Sequence, residues 1–150
     1  MKKMIIGLCL ITATTMTFAM NTPERNVPVS VREKFHKQYP DANAVHWKYN
    51  SGRWDASFHR TNGNMDMTAC YDGKGHRQYS RIPVARHAMP DKVMAHLNER
   101  YPGRYTSHYT KIDRPMKQDL YEVRVKEPGK RTYRDLYLDK RGHERDYASR

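Results

Sequence analysis

The sequence predicts an α+β protein built from two tandem α-β4 repeats, each a short helix packed on a four-stranded antiparallel sheet. Three observations carry this expectation. Two proline-bounded segments with apolar residues at helical spacing recur at an offset of 62 residues. Each is followed by stretches in which apolar and polar residues alternate, the period of a half-buried strand. Asn, Asp and Gly clusters separate these stretches in the same order in both halves.

The helical segments are Val27 to Pro40 and Met89 to Pro102. A proline near the first turn does no harm, because its missing N–H would have no partner there, and a second proline stops the helix. Val31, Phe35 and Tyr39 fall on one stripe, and Val93, Leu97 and Tyr101 on its counterpart. Both stripes are expected to face a core. Next, His46-Trp47 aligns with His108-Tyr109. A hairpin through Asn50-Ser51-Gly52 leads to Trp54, Ala56 and Phe58, alternating with polar residues. Their counterparts Tyr121, Val123 and Val125 lie at an offset of 67, so the second copy's first hairpin is about five residues longer. That length falls between Asp113 and Gln118, in a loop where insertion is tolerated.

Met67, Ala69 and Tyr71 then match Arg134, Leu136 and Leu138, and Met65 and Met67 are expected to fill the core. Tyr71 to His76 matches Leu138 to His143, a turn into a fourth strand in each half. The expected organisation is a leader at 1–19, a flexible segment at 20–26, a first repeat at 27–81, a joint at 82–88 and a second repeat at 89–150.

The leader follows from Lys2 and Lys3 preceding an apolar stretch, with Thr17-Phe18-Ala19 supplying small residues at a cleavage site. The stretch is shorter than the roughly 20 residues a spanning helix needs. A periplasmic or secreted destination follows, with no transmembrane segment after cleavage. Cys9 leaves with the leader, so Cys70 has no internal partner and is expected as a small half-buried strand residue. The formal charge of +12 becomes +10 once Lys2 and Lys3 are gone. Outside the cytoplasm such a surface meets lipid phosphates, acidic polysaccharides and acidic proteins rather than nucleic acid. Aromatic and methionine side chains replace most of the usual aliphatic content, which suits a small, shallow core.

In this order the motifs resemble the PepSY-like family of exported bacterial proteins, also described as beta-lactamase-inhibitor-like. The resemblance is carried by Val27-Pro28-x-x-Val31, Tyr39-Pro40, Val45-x-Trp47, Gly52-x-Trp54-x-Ala56-x-Phe58 and Tyr71-Asp72-x-x-Gly75, and runs over about residues 27 to 147. It implies an α+β fold of two such units, an extracytoplasmic location and no catalytic residues. The family's name further implies binding or inhibition of a protein partner. The second copy departs from the pattern at Arg134, where an apolar residue is expected, and at Tyr109, which replaces Trp.

No nucleophile motif, phosphate loop or nucleotide fingerprint is present. The eight histidines show no His-x-x-x-His spacing, and no Cys-x-x-Cys occurs. The expectation is therefore a protein that is not an enzyme, with no cofactor, no metal and no nucleic-acid partner. One surface stands out: the sheet face away from the helices. Alternation assigns to it Asp55, Ser57, His59, Thr68 and Cys70 in the first half. In the second half it assigns Glu122, Arg124, Lys126, Tyr133, Asp135 and Tyr137. Tyrosines among cations suit an interface, and His59, Arg124, Lys126, Tyr133 and Tyr137 are the candidate partner-binding residues. A one-layer sheet that simply shows its polar side to water reads the same way. Two partners remain open, an unknown extracytoplasmic protein or a polyanion such as lipopolysaccharide or acidic polysaccharide.

Overall fold

In the computed structural model the described residues are 22–61, 66–127 and 129–147. The expected leader and Met65 lie outside them. Helices α1 (Val29–Gln38) and α2 (Asp91–Arg100) each begin after a proline, Pro28 and Pro90. Each ends at a tyrosine, Tyr39 or Tyr101, whose N–H still donates to Phe35 or Leu97. The strands are β1 (Ala42–Asn50), β2 (Arg53–Arg60), β3 (Asp66–Asp72), β4 (Arg77–Val84), β5 (Tyr105–Asp113), β6 (Leu120–Lys126) and β7 (Tyr133–Leu138). They form one seven-stranded antiparallel sheet in sequence order.

The β1–β2 hairpin is a two-residue turn in which Ser51 and Gly52 both have positive φ, 49° and 82°. That pairing matches the right-handed twist of the flanking strands. The β5–β6 connection is the longer one, as its extra residues require. Register shifts in β1, β5 and between β3 and β4 interrupt the ladder; Ala44 takes φ 49° in the first of them. Such bulges bend the strand that carries them.

Both helices lie against one face of the sheet. Val31, Phe35 and Tyr39 pack on Trp47, Ala56, Phe58, Ala69 and Tyr71. Val93 and Leu97 pack on Tyr109, Val123, Val125, Leu136 and Leu138. The Phe35 ring meets Trp47 and Phe58 edge-on at 5.1 and 5.0 Å, an arrangement the aromatic quadrupole favours. Tyr101 is only partly buried, and Arg134, the residue out of pattern, donates to its hydroxyl at 2.7 Å and places its guanidinium over the ring. A long cation with an apolar stem thus covers the rim of the second core instead of filling it.

Two glycines set how closely the turns approach the helices. Gly75 and Gly142 have φ +84° and +83°, and a Cβ would lie 2.6 Å from the Ser30 carbonyl oxygen or 2.5 Å from that of Lys92. These positions fall at equivalent places in the two halves and admit no side chain.

The expected layout is corrected at three points. The second half has three strands, not four. After β7 and its turn, Glu144 makes a single bridge to Leu138, Arg145 N–H donates to the Tyr137 carbonyl at 2.8 Å, and no further strand follows among the described residues. β4 can be a full strand because β3 and β5 flank it on both sides, whereas its counterpart beside β7 would be paired on one side only. The 82–88 joint begins inside a strand. Ile82, Pro83 and Val84 continue β4 and pair with β5, fusing the two halves edge to edge. Finally, the 20–26 segment is anchored where it is described: Thr22 N–H donates to the Trp47 carbonyl at 2.8 Å and Glu24 pairs with His36 at 2.7 Å.

A polar network lies at the seam. Tyr39 OH and the buried Ser80 hydroxyl are 2.7 Å apart, Arg77 donates to Ser80 at 2.9 Å, and the same guanidinium reaches Asp113 at 2.6 Å. It links α1, β4 and β5 with every buried polar partner supplied.

Candidate functional site

With both helices on one side, neither helix covers the opposite sheet face. Its residues follow from the pleat and the register. Lys126 lies opposite Tyr133, Arg124 opposite Asp135 and Glu122 opposite Tyr137, across β6 and β7. Arg124 Nε donates to Asp135 at 3.0 Å, and Tyr133 is 53% exposed. The fold therefore brings four of the five candidate residues together on two neighbouring strands: Arg124, Lys126, Tyr133 and Tyr137. His59 is elsewhere. It sits on β2, four strands away from β6, and pairs with Asp66 at 2.8 Å.

Several residues of this face were not singled out by the sequence. Arg81 on β4 reaches across β5 to Glu122 on β6 at 2.5 Å. Burial holds the Glu122 carboxyl above its ordinary range, and the Arg81 guanidinium opposes that rise. Ile112 lies opposite Arg81 and Leu120 opposite Ile112, one row across β4, β5 and β6 on the face away from both helices. Ile112 and Leu120 are nevertheless 0% and 1% exposed. Tyr147 lies over this part of the sheet. Its ring stacks on Tyr137 with centroids 4.8 Å apart, meets Tyr79 edge-on at 6.1 Å and has Arg81 5.9 Å from its centre. Tyr79 and Tyr137 belong to strands three steps apart, a span of about 14 Å, so their rings lean together over the sheet.

Two clefts flank this aromatic slot. One, of about 200 Å³, is bounded by Arg53, Asp55, Cys70, Tyr79 and Tyr147. The other, of about 190 Å³, is bounded by Thr106, His108, Glu122, Arg124 and Asp135. Cys70 is fully buried at 1%, not half-buried as expected. Burial and hydrogen bonding to Asp55 push its thiol up to about 12, and burial likewise raises the Tyr79 phenol. A thiol held protonated in this way is a poor nucleophile and a poor metal ligand. Among the described residues no three His, Cys, Asp or Glu side chains converge in a manner that could hold a metal ion. Lys48, Arg53 and Lys126 lie on this face without a salt bridge among the described residues, leaving its rim basic.

The sequence did hold one signal for the missed slot. Ile112 and Leu120 interrupt the polar side of β5 and β6, and an apolar pair on a supposedly wet face asks for a cover. Nothing in the sequence pointed to Tyr147, because its segment reads as part of a fourth strand.

No family model matches the sequence, and a search of curated proteins finds no match. Solved structures do match the fold. A DUF2874 family protein from Bacteroides uniformis is 20% identical, with 78% of this chain and 85% of that one covered and a TM-score of 0.70. A candidate periplasmic protein from Bacteroides eggerthii is 16% identical, with 79% and 85% covered and a TM-score of 0.71. A BLIP-like (beta-lactamase-inhibitor-like) protein from Bacteroides fragilis is 18% identical, with 79% and 84% covered and a TM-score of 0.64. The chain thus has the α+β, antiparallel-sheet fold of beta-lactamase-inhibitor-like proteins. At these identities the likeness concerns the fold. Among the described residues no helix is long and apolar enough to cross a membrane.

Proposed function

We propose that this chain is an exported, non-enzymatic binding module of the PepSY-like type, made of two copies of one helix-and-sheet unit, that docks an extracytoplasmic protein on its open sheet face. The observation that carries the reading is the β6–β7 ladder. An exposed Tyr133 lies opposite Lys126, beside the Arg124–Asp135 pair, on a face that neither helix covers. Aromatic and arginine side chains set in a polar rim are the usual anchors of protein interfaces. Export is supported by the basic-then-apolar start of the sequence and by the likeness to a candidate periplasmic protein. The doubled unit is supported by the equivalent Gly75 and Gly142 contacts with α1 and α2.

A polyanion such as lipopolysaccharide or acidic polysaccharide is the second reading, favoured by Lys48, Arg53 and Lys126, which lack salt-bridge partners among the described residues. Affinity capture from an envelope extract, with the unaltered chain beside an Arg124→Ala/Tyr133→Ala variant, tests both. The protein-docking reading expects a discrete partner that survives moderate salt and is lost in the variant. Capture that collapses between low and moderate salt supports the polyanion instead. Equal capture by both chains removes the β6–β7 ladder from consideration.

A further inference from the structure

We propose that the slot between Tyr79 and Tyr137 is a docking site for an aromatic side chain carried on an acidic segment of the partner, and that the chain's own Tyr147 occupies it in the free protein. The inference rests on the open face being a binding surface, and it specifies what that surface recognises. The slot has the parts an aromatic anchor needs. Tyr137 offers a parallel ring at 4.8 Å, Tyr79 an edge at 6.1 Å and Arg81 a cation 5.9 Å from the ring centre. The Arg81 charge is already matched by Glu122, so its guanidinium is held in place before any ligand arrives. The floor is apolar, because Ile112 and Leu120 are buried on the side of the sheet that otherwise carries polar groups.

The present occupant is placed to leave. The tail follows the outer edge of β7 as far as the Arg145 bond to Tyr137, and two residues later Tyr147 lies on the open face. No strand secures it there among the described residues. Its release would expose the slot without disturbing either helix-side core, since neither Ile112 nor Leu120 belongs to one. A free cation stands at the slot: Arg53, which has no salt bridge among the described residues, bounds the cleft formed with Tyr79 and Tyr147, and an acidic neighbour of the docked ring would meet it there. In the sequence of the tail an acid, Asp146, directly precedes Tyr147.

The test uses a fluorescent eight-residue peptide with one tyrosine flanked by aspartates and glutamates, and the same peptide with alanine for tyrosine. Each is titrated by fluorescence polarisation against the full chain, a chain lacking residues 146–150, and Tyr147→Ala. The tyrosine peptide should bind both altered chains about tenfold or more tighter than the full chain, as removal of a competing anchor requires. The alanine peptide should show no such gain. Equal binding by all three chains, or equal binding of the two peptides, overturns the proposal. So does failure of both peptides to bind altered chains whose melting curves show them folded. If truncation and Tyr147→Ala each abolish folding, Tyr147 is a core residue and the proposal is also overturned. A failure here with envelope capture intact removes the slot alone; lost capture specificity with peptide binding intact removes the β6–β7 reading alone.

Discussion

Asp72 and Asp139 close the same turn in the two halves, with the same backbone bonds but different surroundings. Oδ1 of Asp72 accepts from the N–H groups of Lys74 and His76, and Oδ1 of Asp139 from those of Arg141 and His143. Asp72 is 34% exposed and its second oxygen meets His76 at 3.0 Å. Asp139 is 1% exposed, and its second oxygen accepts from Arg145 Nε at 3.0 Å and Nη2 at 2.7 Å. Truncating Asp139 to Ala strands two backbone donors and an arginine that a buried carboxylate had satisfied, a loss of about 3 kcal/mol. The same change at Asp72 leaves donors that water can reach, and about 1 kcal/mol is expected.

The Asp139 effect must also depend on pH. Burial alone would raise its carboxyl, but Arg145 and the backbone N–H groups of His143 and Arg141 outweigh it and hold the group at about 2, from an ordinary value of 3.8. A depressed carboxyl contributes stability that is fully present above its unfolded value and is lost as pH falls through the folded one. The difference corresponds to about 2 kcal/mol, released between roughly pH 5 and pH 2. Urea midpoints for the unaltered chain and both variants at pH 7, 5 and 3, with slopes checked for constancy, measure this. Equal losses at the two positions, or an Asp139→Ala deficit that does not shrink as pH falls, would refute the reasoning.

Further outcomes follow from packing and from the buried thiol. Gly75→Ala and Gly142→Ala each force a Cβ against a helix carbonyl at a positive φ, so each should destabilise by about 2 kcal/mol or more, read as a lower urea midpoint. Gly52→Ala, where no atom lies within 4 Å of the added carbon, should lose only the conformational part, about 1 kcal/mol. Cys70 should resist a thiol reagent at pH 8 in the folded protein and react fully in urea, because it is 1% exposed and its thiol is held at about 12. Rapid labelling of the folded chain would show that the open-face cleft is more accessible than its geometry allows.

The sequence by itself determined the helices, most of the strands, the turns and the assignment of core and open faces. These depend on local chemistry: proline positions at Pro28 and Pro90, the stripe Val31–Phe35–Tyr39, and strict alternation through Trp54, Ala56 and Phe58. It also indicated which side of the sheet Arg124, Lys126, Tyr133 and Tyr137 occupy, since a pleat fixes that by parity. Only the tertiary structure decided how the halves meet. Whether Ile82 to Val84 serve as a joint or a strand depends on β5 being there to accept their hydrogen bonds, and local pattern is the same either way. That no eighth strand follows among the described residues has the same origin, because after His143 one edge is available where β4 has two. The aromatic slot needed the three-dimensional fold most of all. Tyr79, Arg81, Tyr137 and Tyr147 are scattered in sequence, and they converge because adjacent strands carry their side chains to one face and a short tail turns over its edge.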